Sequence, residues 1–250
     1  MSASNPYISW ETRRWLYKLS QEQFPVIDAP SRENIQKALD RSSVQAHPGG
    51  LVYDVSKKIG ALESQALVAG SLAELFFAAV NLTDDMQDGD SSYMDIPMSL
   101  QINTQSHMFS LAVMRSYSIS DKIANIMFTS LSKMFVGQRL ELVTTLWDYD
   151  TYYEVAKRVA GEQFALYFNL AAISGGSDNL ENWYNLGMTY GIILQIIHDK
   201  NSLDERYISL SNKDKSNLFN RALDDLECKA EICGSIAIEY CQNLVSLFKG

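Results

Sequence analysis

Residues 61–90 read ALESQALVAGSLAELFFAAVNLTDDMQDGD, and the spacing of their apolar side chains decides the fold. Leu62, Ala66, Ala69, Ala73, Phe76, Phe77 and Val80 recur at intervals of three and four, which gathers them along an α-helix rather than a strand. Charge is scarce and the apolar surface extends beyond one face, so a helix from about Gly60 to Asp84 belongs inside a bundle. A second low-charge helix is expected from about Tyr149 to Ile173. The same period continues at Leu111 and Met114, and at Ile123, Ile126, Met127, Leu131 and Phe135, while strand-like alternation is found over no useful length. No proline follows Pro97, so the strongest helix breaker is missing from the rest of the chain. Turn residues cluster at Asp88–Ser92, Ser174–Asp178 and Ser209–Asp214, and these stops separate about eight helices. At the start, Tyr7, Ile8, Trp10, Trp15, Leu16 and Leu19 predict a one-sided helix within residues 1–30, laid on the bundle. Toward the end, Leu218 to Phe248 reads as one amphipathic helix. Neither repeat nor linker divides residues 1–250, and the expectation is a single all-α domain.

Composition narrows the function. The 250 residues are 46% hydrophobic and 11% aromatic, enough for a large core, which excludes intrinsic disorder. A formal charge of −9 repels phosphate backbones and anionic lipid, so no nucleic-acid partner is expected. The opening Met1–Pro6 has no basic or apolar leader pattern. The longest nearly uncharged apolar stretch, Ala66 to Val80, is interrupted by Glu74, so no membrane-spanning helix is expected. Cys228, Cys233 and Cys241 lack CxxC or His spacing and are odd in number, which suits a reducing, cytoplasmic setting.

The chemistry concentrates at two helix ends. Asn81–Asp88 closes the first apolar helix with Asp84, Asp85 and Asp88, and a spacing of four sets Asp84 and Asp88 about 6 Å apart on one face. Like charges so placed repel unless a cation lies between them, and hard carboxylate oxygens suit Mg2+. The plainer alternative is a solvated acidic helix end. Leu194–Ser202 closes another apolar helix with Gln195, His198, Asp199, Asn201 and Ser202. Packed side by side, two such helices would aim their acidic ends at one cavity, with metal ions bridged by a diphosphate. His198 is either a polar helix end or, against the preference of Mg2+ for oxygen, a ligand.

These landmarks resemble the trans-isoprenyl diphosphate synthase superfamily of class I terpenoid synthases, in order from about Gly49 to Ser202. Asp84-Asp85-Met86-Gln87-Asp88 looks like its first aspartate-rich motif, and Gly137-Gln138-Arg139-Leu140-Glu141 is similar to its Gly-Gln-x-x-Asp segment. Gly161–Leu166, running on to Gly175-Gly176, sits where the family has Lys-Thr-x-x-Leu-Phe and a following glycine. Gln195-Ile196-Ile197-His198-Asp199 occupies the place of its second aspartate motif. Cationic positions differ. The family's Gly-Gly-Lys-Arg-x-Arg becomes Gly49-Gly50-Leu51-Val52-Tyr53-Asp54, its Arg-Arg-Gly-x-Pro becomes Tyr93-Met94-Asp95-Ile96-Pro97, and the lysine of its Lys-Thr pair falls at Val159. Each charge-assisted phosphate contact is worth about 1.5–3 kcal/mol, so losing four or five is expected to forfeit micromolar binding of a second diphosphate, that of isopentenyl diphosphate.

The resemblance implies a helical bundle of the isoprenoid synthase type and an Mg2+-dependent enzyme that ionises one allylic prenyl diphosphate of the farnesyl or geranylgeranyl class. Its implied catalytic residues are Asp84, Asp85, Asp88 and Asp199, with Asp84, Asp88, Asp199 and Ser202 on metal. Substrate contacts would come from Phe76, Phe77, Val80, Gln138, Gln195, Arg139, Lys157 and Arg158, although the last three equally suit surface salt bridges. Aromatic faces from Phe76, Phe77, Tyr152 or Phe168 would steady a carbocation unless they are plain core. Three readings stay open: prenyl transfer to a peptide or small-molecule acceptor, as in the ComQ-type peptide isoprenyl transferases that the chain most resembles; a synthase-like terpene cyclase; and a non-catalytic regulatory subunit. A homodimer is also implied.

Overall fold

The computed structural model describes residues 28–45 and 48–249, so the helix expected from Tyr7 to Leu19 lies outside them. The described chain is helical throughout, without a strand: α1 (Ala29–Gln45), α2 (Pro48–Ile59), α3 (Glu63–Asp88), a 3-10 turn (Ser91–Met94), α4 (Met98–Ile119), α5 (Asp121–Val143), α6 (Tyr149–Ala156), a π-helical turn (Lys157–Gly161), α7 (Glu162–Ser174), α8 (Leu180–Ser202), α9 (Glu205–Ile208), α10 (Asn212–Cys233) and α11 (Ser235–Lys249). The residues group into two compact units, one reaching to Asn125 and taking in Ser174–Gly176, the other formed by Ile126–Ile173 and the chain from Ser177 onward.

In the first unit α3 is the central helix, packed by α1, α2 and α4. It starts where the Leu62 amide donates to Gln65 Oε1 at 3.0 Å. Glu63, in its first turn, accepts from the Tyr53 hydroxyl at 2.6 Å and pairs with Lys57 at 3.1 Å, a negative charge placed where the helix dipole favours it. Leu72, Leu75, Phe76, Leu82 and Met108 are fully buried, each contributing about 1.5–3 kcal/mol. Phe76 meets Phe109 edge to face, with centroids 5.9 Å apart. By length and composition α3 is the one described helix apolar enough to cross a membrane, yet most of it is buried within the protein, as a core helix is.

The second unit is built on α8, which packs against α6, the π-helical turn, α9, α10 and α11. Close approach depends on Gly191, where a Cβ would fall on the Ala160 carbonyl oxygen. The helix expected from Tyr149 to Ile173 forms with one irregularity: the Glu162 amide bonds five residues back, to the Lys157 carbonyl. Phe168 stacks on Trp183 at 6.1 Å in a core with Leu166, Leu170, Ile193 and Ile196. The single C-terminal helix expected from Leu218 to Phe248 is corrected to two, α10 and α11. They break at Gly234, whose φ of 91° an L side chain rarely adopts.

Candidate active-site residues at two helix ends

The acidic end of α3 extends one turn further than the expected boundary at Asp84, so Asp84, Asp85 and Asp88 all lie on helix. The amides of Gly89 and Asp90 both bond to the Asp85 carbonyl and close the last turn. Carboxylates at a helix C-terminus oppose the dipole, so this cluster works against its own backbone. Asp84 and Asp88 are exposed and Asp85 is half-buried. The Tyr93 hydroxyl donates to the Asp85 carboxylate, while Asp85 Oδ2 is buried with no hydrogen-bond partner. Burial pushes the Asp85 carboxyl upward, opposed by the Tyr93 bond and by the Arg41 charge. Arg41 lies over the Tyr93 ring, 5.4 Å from its centroid. A cationic contact thus reaches this end of α3 from α1, although Tyr93 and Met94 stand where the resemblance expects arginines.

Accessibility along α3 defines a stripe. Glu74, Phe77, Val80 and Asn81 are partly accessible, and Asp84 and Asp88 continue the same face into solvent. Phe77 and Val80 therefore lie on the aspartate face, whereas Phe76 is 0% exposed in the core against Phe109. Asp84 and Asp88, on one face of successive turns, offer hard oxygen donors of the kind a divalent cation such as Mg2+ takes.

The end of α8 is arranged differently. Asp199 is 1% exposed and both its oxygens are engaged: Oδ2 accepts from the Tyr152 hydroxyl at 2.8 Å, and Oδ1 from Gln195 Nε2 at 2.7 Å. His198 Nδ1 lies 3.3 Å from Oδ1 on an otherwise exposed ring. Arg206, on α9, reaches the same oxygen at 3.5 Å, pairs with Asp204 at 2.7 Å and contacts Glu141 Oε1. The negative field of Asp199 and burial drive the Tyr152 hydroxyl well above its ordinary range, with burial the larger cause. Ser202, expected on metal, donates its hydroxyl to the His198 carbonyl at 2.9 Å.

Of the remaining expected contacts, Gln138 is half-buried on α5, Arg139 and Lys157 are exposed, and Arg158 is held by Glu154 at 2.6 Å. Gly137 brings this part of α5 against Arg158, whose Cβ a Cβ at position 137 would meet at 2.6 Å. Phe168 is core, and Tyr152 serves Asp199. Sequence reasoning missed Arg206 as a partner of Glu141 and Asp199, and it missed an ion pair in the second unit in which a buried carboxylate meets a part-exposed lysine. There Glu162 accepts from Tyr184 at 2.7 Å and pairs with Lys133 at 2.9 Å. Among the described residues no three His, Cys, Asp or Glu side chains converge as a ready metal cage.

The sequence matches no family model and no curated protein. Solved structures do match. An isoprenoid synthase family member from Thermotoga neapolitana superposes with a TM-score of 0.78 at 18% identity, over 96% of this chain and 100% of that one. A geranyltranstransferase from Thermotoga maritima gives 0.74 at 15% identity, over 96% and 98%. An FPP/GFPP synthase from Zymomonas mobilis gives 0.74 at 16% identity, over 95% and 96%. The helical architecture, expected from periodicity and motif order, is therefore the isoprenoid synthase fold.

Proposed function

We propose that the protein is an Mg2+-dependent class I prenyltransferase that binds one allylic prenyl diphosphate and transfers its prenyl group to an acceptor other than isopentenyl diphosphate, such as a peptide. The observation that carries this reading is the face of α3, where an apolar run through Phe77 and Val80 leads to Asp84 and Asp88. A prenyl tail and a diphosphate have the same polarity order. Bound at Asp84 and Asp88, Mg2+ would supply the positive charge that neutralises the leaving diphosphate. Asp85 would steady that end of the helix through Tyr93, and Arg41 would add positive charge beside it. Phe77 would set the depth available to the tail, with Val80 leaving room in the turn above it. Gln138, Arg139, Lys157 and Arg158 are the candidates for further diphosphate contact, and Gln195 acts through Asp199.

The absence of the family's arginines at Tyr93 and Met94, and of its basic run at Leu51–Asp54, argues against a second diphosphate. The similar solved proteins that are named as synthases do not extend to the acceptor. A homodimer is supported by the exposed apolar residues of α5, where Phe128, Phe135 and Leu142 recur every seventh residue and are 63%, 46% and 56% exposed.

The test is incubation with farnesyl or geranylgeranyl diphosphate and Mg2+, with and without labelled isopentenyl diphosphate or tryptophan-containing peptides. Diphosphate release that rises with peptide, leaves the isopentenyl label unincorporated and disappears in Asp84→Asn supports the proposal. Incorporation of the label into longer prenyl chains overturns it, and cyclic hydrocarbons formed without any acceptor would make the protein a cyclase.

A further inference from the structure

The carboxylates at the end of α8 do not fit a divalent cation as they stand, because a protein cation already occupies their centre. Glu141 comes from α5, Asp199 from α8, and Asp204 from the residue that caps α9. One guanidinium meets all three. Arg206 Nη1 contacts Glu141 Oε1, and Nη2 lies 3.5 Å from Asp199 Oδ1 and 2.8 Å from Asp204 Oδ2. Nε lies 2.7 Å from Asp204 Oδ1, making the Asp204 contact two-pronged. The placement is fixed locally as well, since the Arg206 amide bonds to Asp204 Oδ1 at 2.8 Å and the Asp204 amide to the Asp199 carbonyl at 2.9 Å. The side chains are 22% exposed for Arg206, 18% for Glu141, 25% for Asp204 and 1% for Asp199. Asp199 is further satisfied by Tyr152 and Gln195.

We infer that Arg206 is a built-in counter-ion that takes the place of a divalent metal among Glu141, Asp199 and Asp204. This cluster then takes up no metal of its own, and metal is held through the end of α3. The inference deepens the proposed function and rests on it for the second clause only. Guanidinium offers five fixed donors and a permanent single charge, so it satisfies carboxylate oxygens without the octahedral demand of Mg2+. Three carboxylates against one cation leave an excess of negative charge. Burial pushes the Asp204 carboxyl upward, opposed by the hydrogen bond from the Arg206 amide, and the Asp199 charge adds to the rise. Removing the guanidinium would leave oxygen donors from three elements around one vacated centre.

The experiment counts Mn2+ bound to the purified protein by electron paramagnetic resonance, without any prenyl substrate. Wild type, Arg206→Gln, Arg206→Lys, Arg206→Gln/Asp199→Asn and Asp84→Asn/Asp88→Asn are compared. Arg206→Gln should bind one more Mn2+ per chain than wild type. The gain should vanish in Arg206→Gln/Asp199→Asn and be absent in Arg206→Lys, which keeps a positive charge. No additional ion in folded Arg206→Gln overturns the inference, as does an additional ion in Arg206→Lys. Should Arg206→Gln lose its helical circular dichroism in chelator, millimolar Mn2+ must restore it, and failure to do so also overturns the inference. Wild-type binding that persists in Asp84→Asn/Asp88→Asn would instead defeat the proposed role of α3 while leaving the Arg206 result to be judged by its own comparison.

Discussion

Replacing Tyr152 by Phe removes one oxygen from the interior of the second unit. The hydroxyl donates to Asp199 Oδ2 at 2.8 Å, with Tyr152 2% and Asp199 1% exposed, so water cannot readily take its place. The ring survives the substitution and keeps its edge-to-face contact with Tyr207, 6.2 Å between centroids, so no cavity is opened. What is lost is a hydrogen bond to a charged group, worth about 1.5–3 kcal/mol. With a urea m-value of about 3 kcal/mol/M, the unfolding midpoint should fall by about 0.5–1 M at unchanged slope. Tyr117→Phe, at a position 55% exposed, should leave the midpoint in place. A Tyr152→Phe midpoint equal to wild type would refute the assignment of Tyr152 as the donor that holds Asp199.

Other substitutions separate core from site. Phe76→Ala should cost about 3–5 kcal/mol in urea unfolding, because Phe76 is wholly buried against Phe109. Phe77→Ala, on the accessible face, should cost less and shift the preferred donor toward longer prenyl chains in competition assays. Equal stability losses, or an unchanged donor preference, would remove Phe77 from the pocket. Gly191→Ala forces a Cβ onto the Ala160 carbonyl and should lower stability by about 1–3 kcal/mol; a neutral result would contradict the close approach of α8 to the π-helical turn. Thiol alkylation at about pH 8 should label exposed Cys228 fastest, since burial pushes Cys233 up to about 11 and Cys241 up to about 12. Their raised values mean that burial favours the neutral thiols. That stabilising contribution is whole below the ordinary thiol value and fades as pH climbs through the raised ones. Rapid labelling of Cys241 in native protein would contradict its burial.

The bundle was legible because helix periodicity is a local signal. Ala66, Ala69, Ala73 and Phe76 announce the buried face of α3 within one segment, and their burial follows. Boundaries were less legible. Asp84 looked like a terminus, yet the true stop comes with Gly89 and Asp90, whose amides close the turn on the Asp85 carbonyl. The amphipathic pattern resumes after Gly234 and hides the break, although the backbone reverses its φ there. The aspartates themselves carried a motif, but their surroundings depend on contacts across distant sequence. Tyr152 and Asp199 are 47 residues apart, and nothing in their spacing announces a bond. Arg206 follows Asp199 closely in sequence but belongs to another short helix, so only packing reveals that one guanidinium gathers carboxylates from three elements. Likewise, the apolar spacing that marked Phe76 and Phe77 together did not tell which of them enters the core.

The most direct measurement is a calorimetric titration of the protein with farnesyl thiodiphosphate, a donor analogue slow to ionise, in Mg2+. The account predicts saturation at one equivalent per chain, no binding of isopentenyl diphosphate, and at least about tenfold weaker binding in Asp84→Asn/Asp88→Asn, a loss of about 1.4 kcal/mol or more. Saturable binding of isopentenyl diphosphate beside the analogue, or undiminished affinity in the aspartate variant, would contradict it.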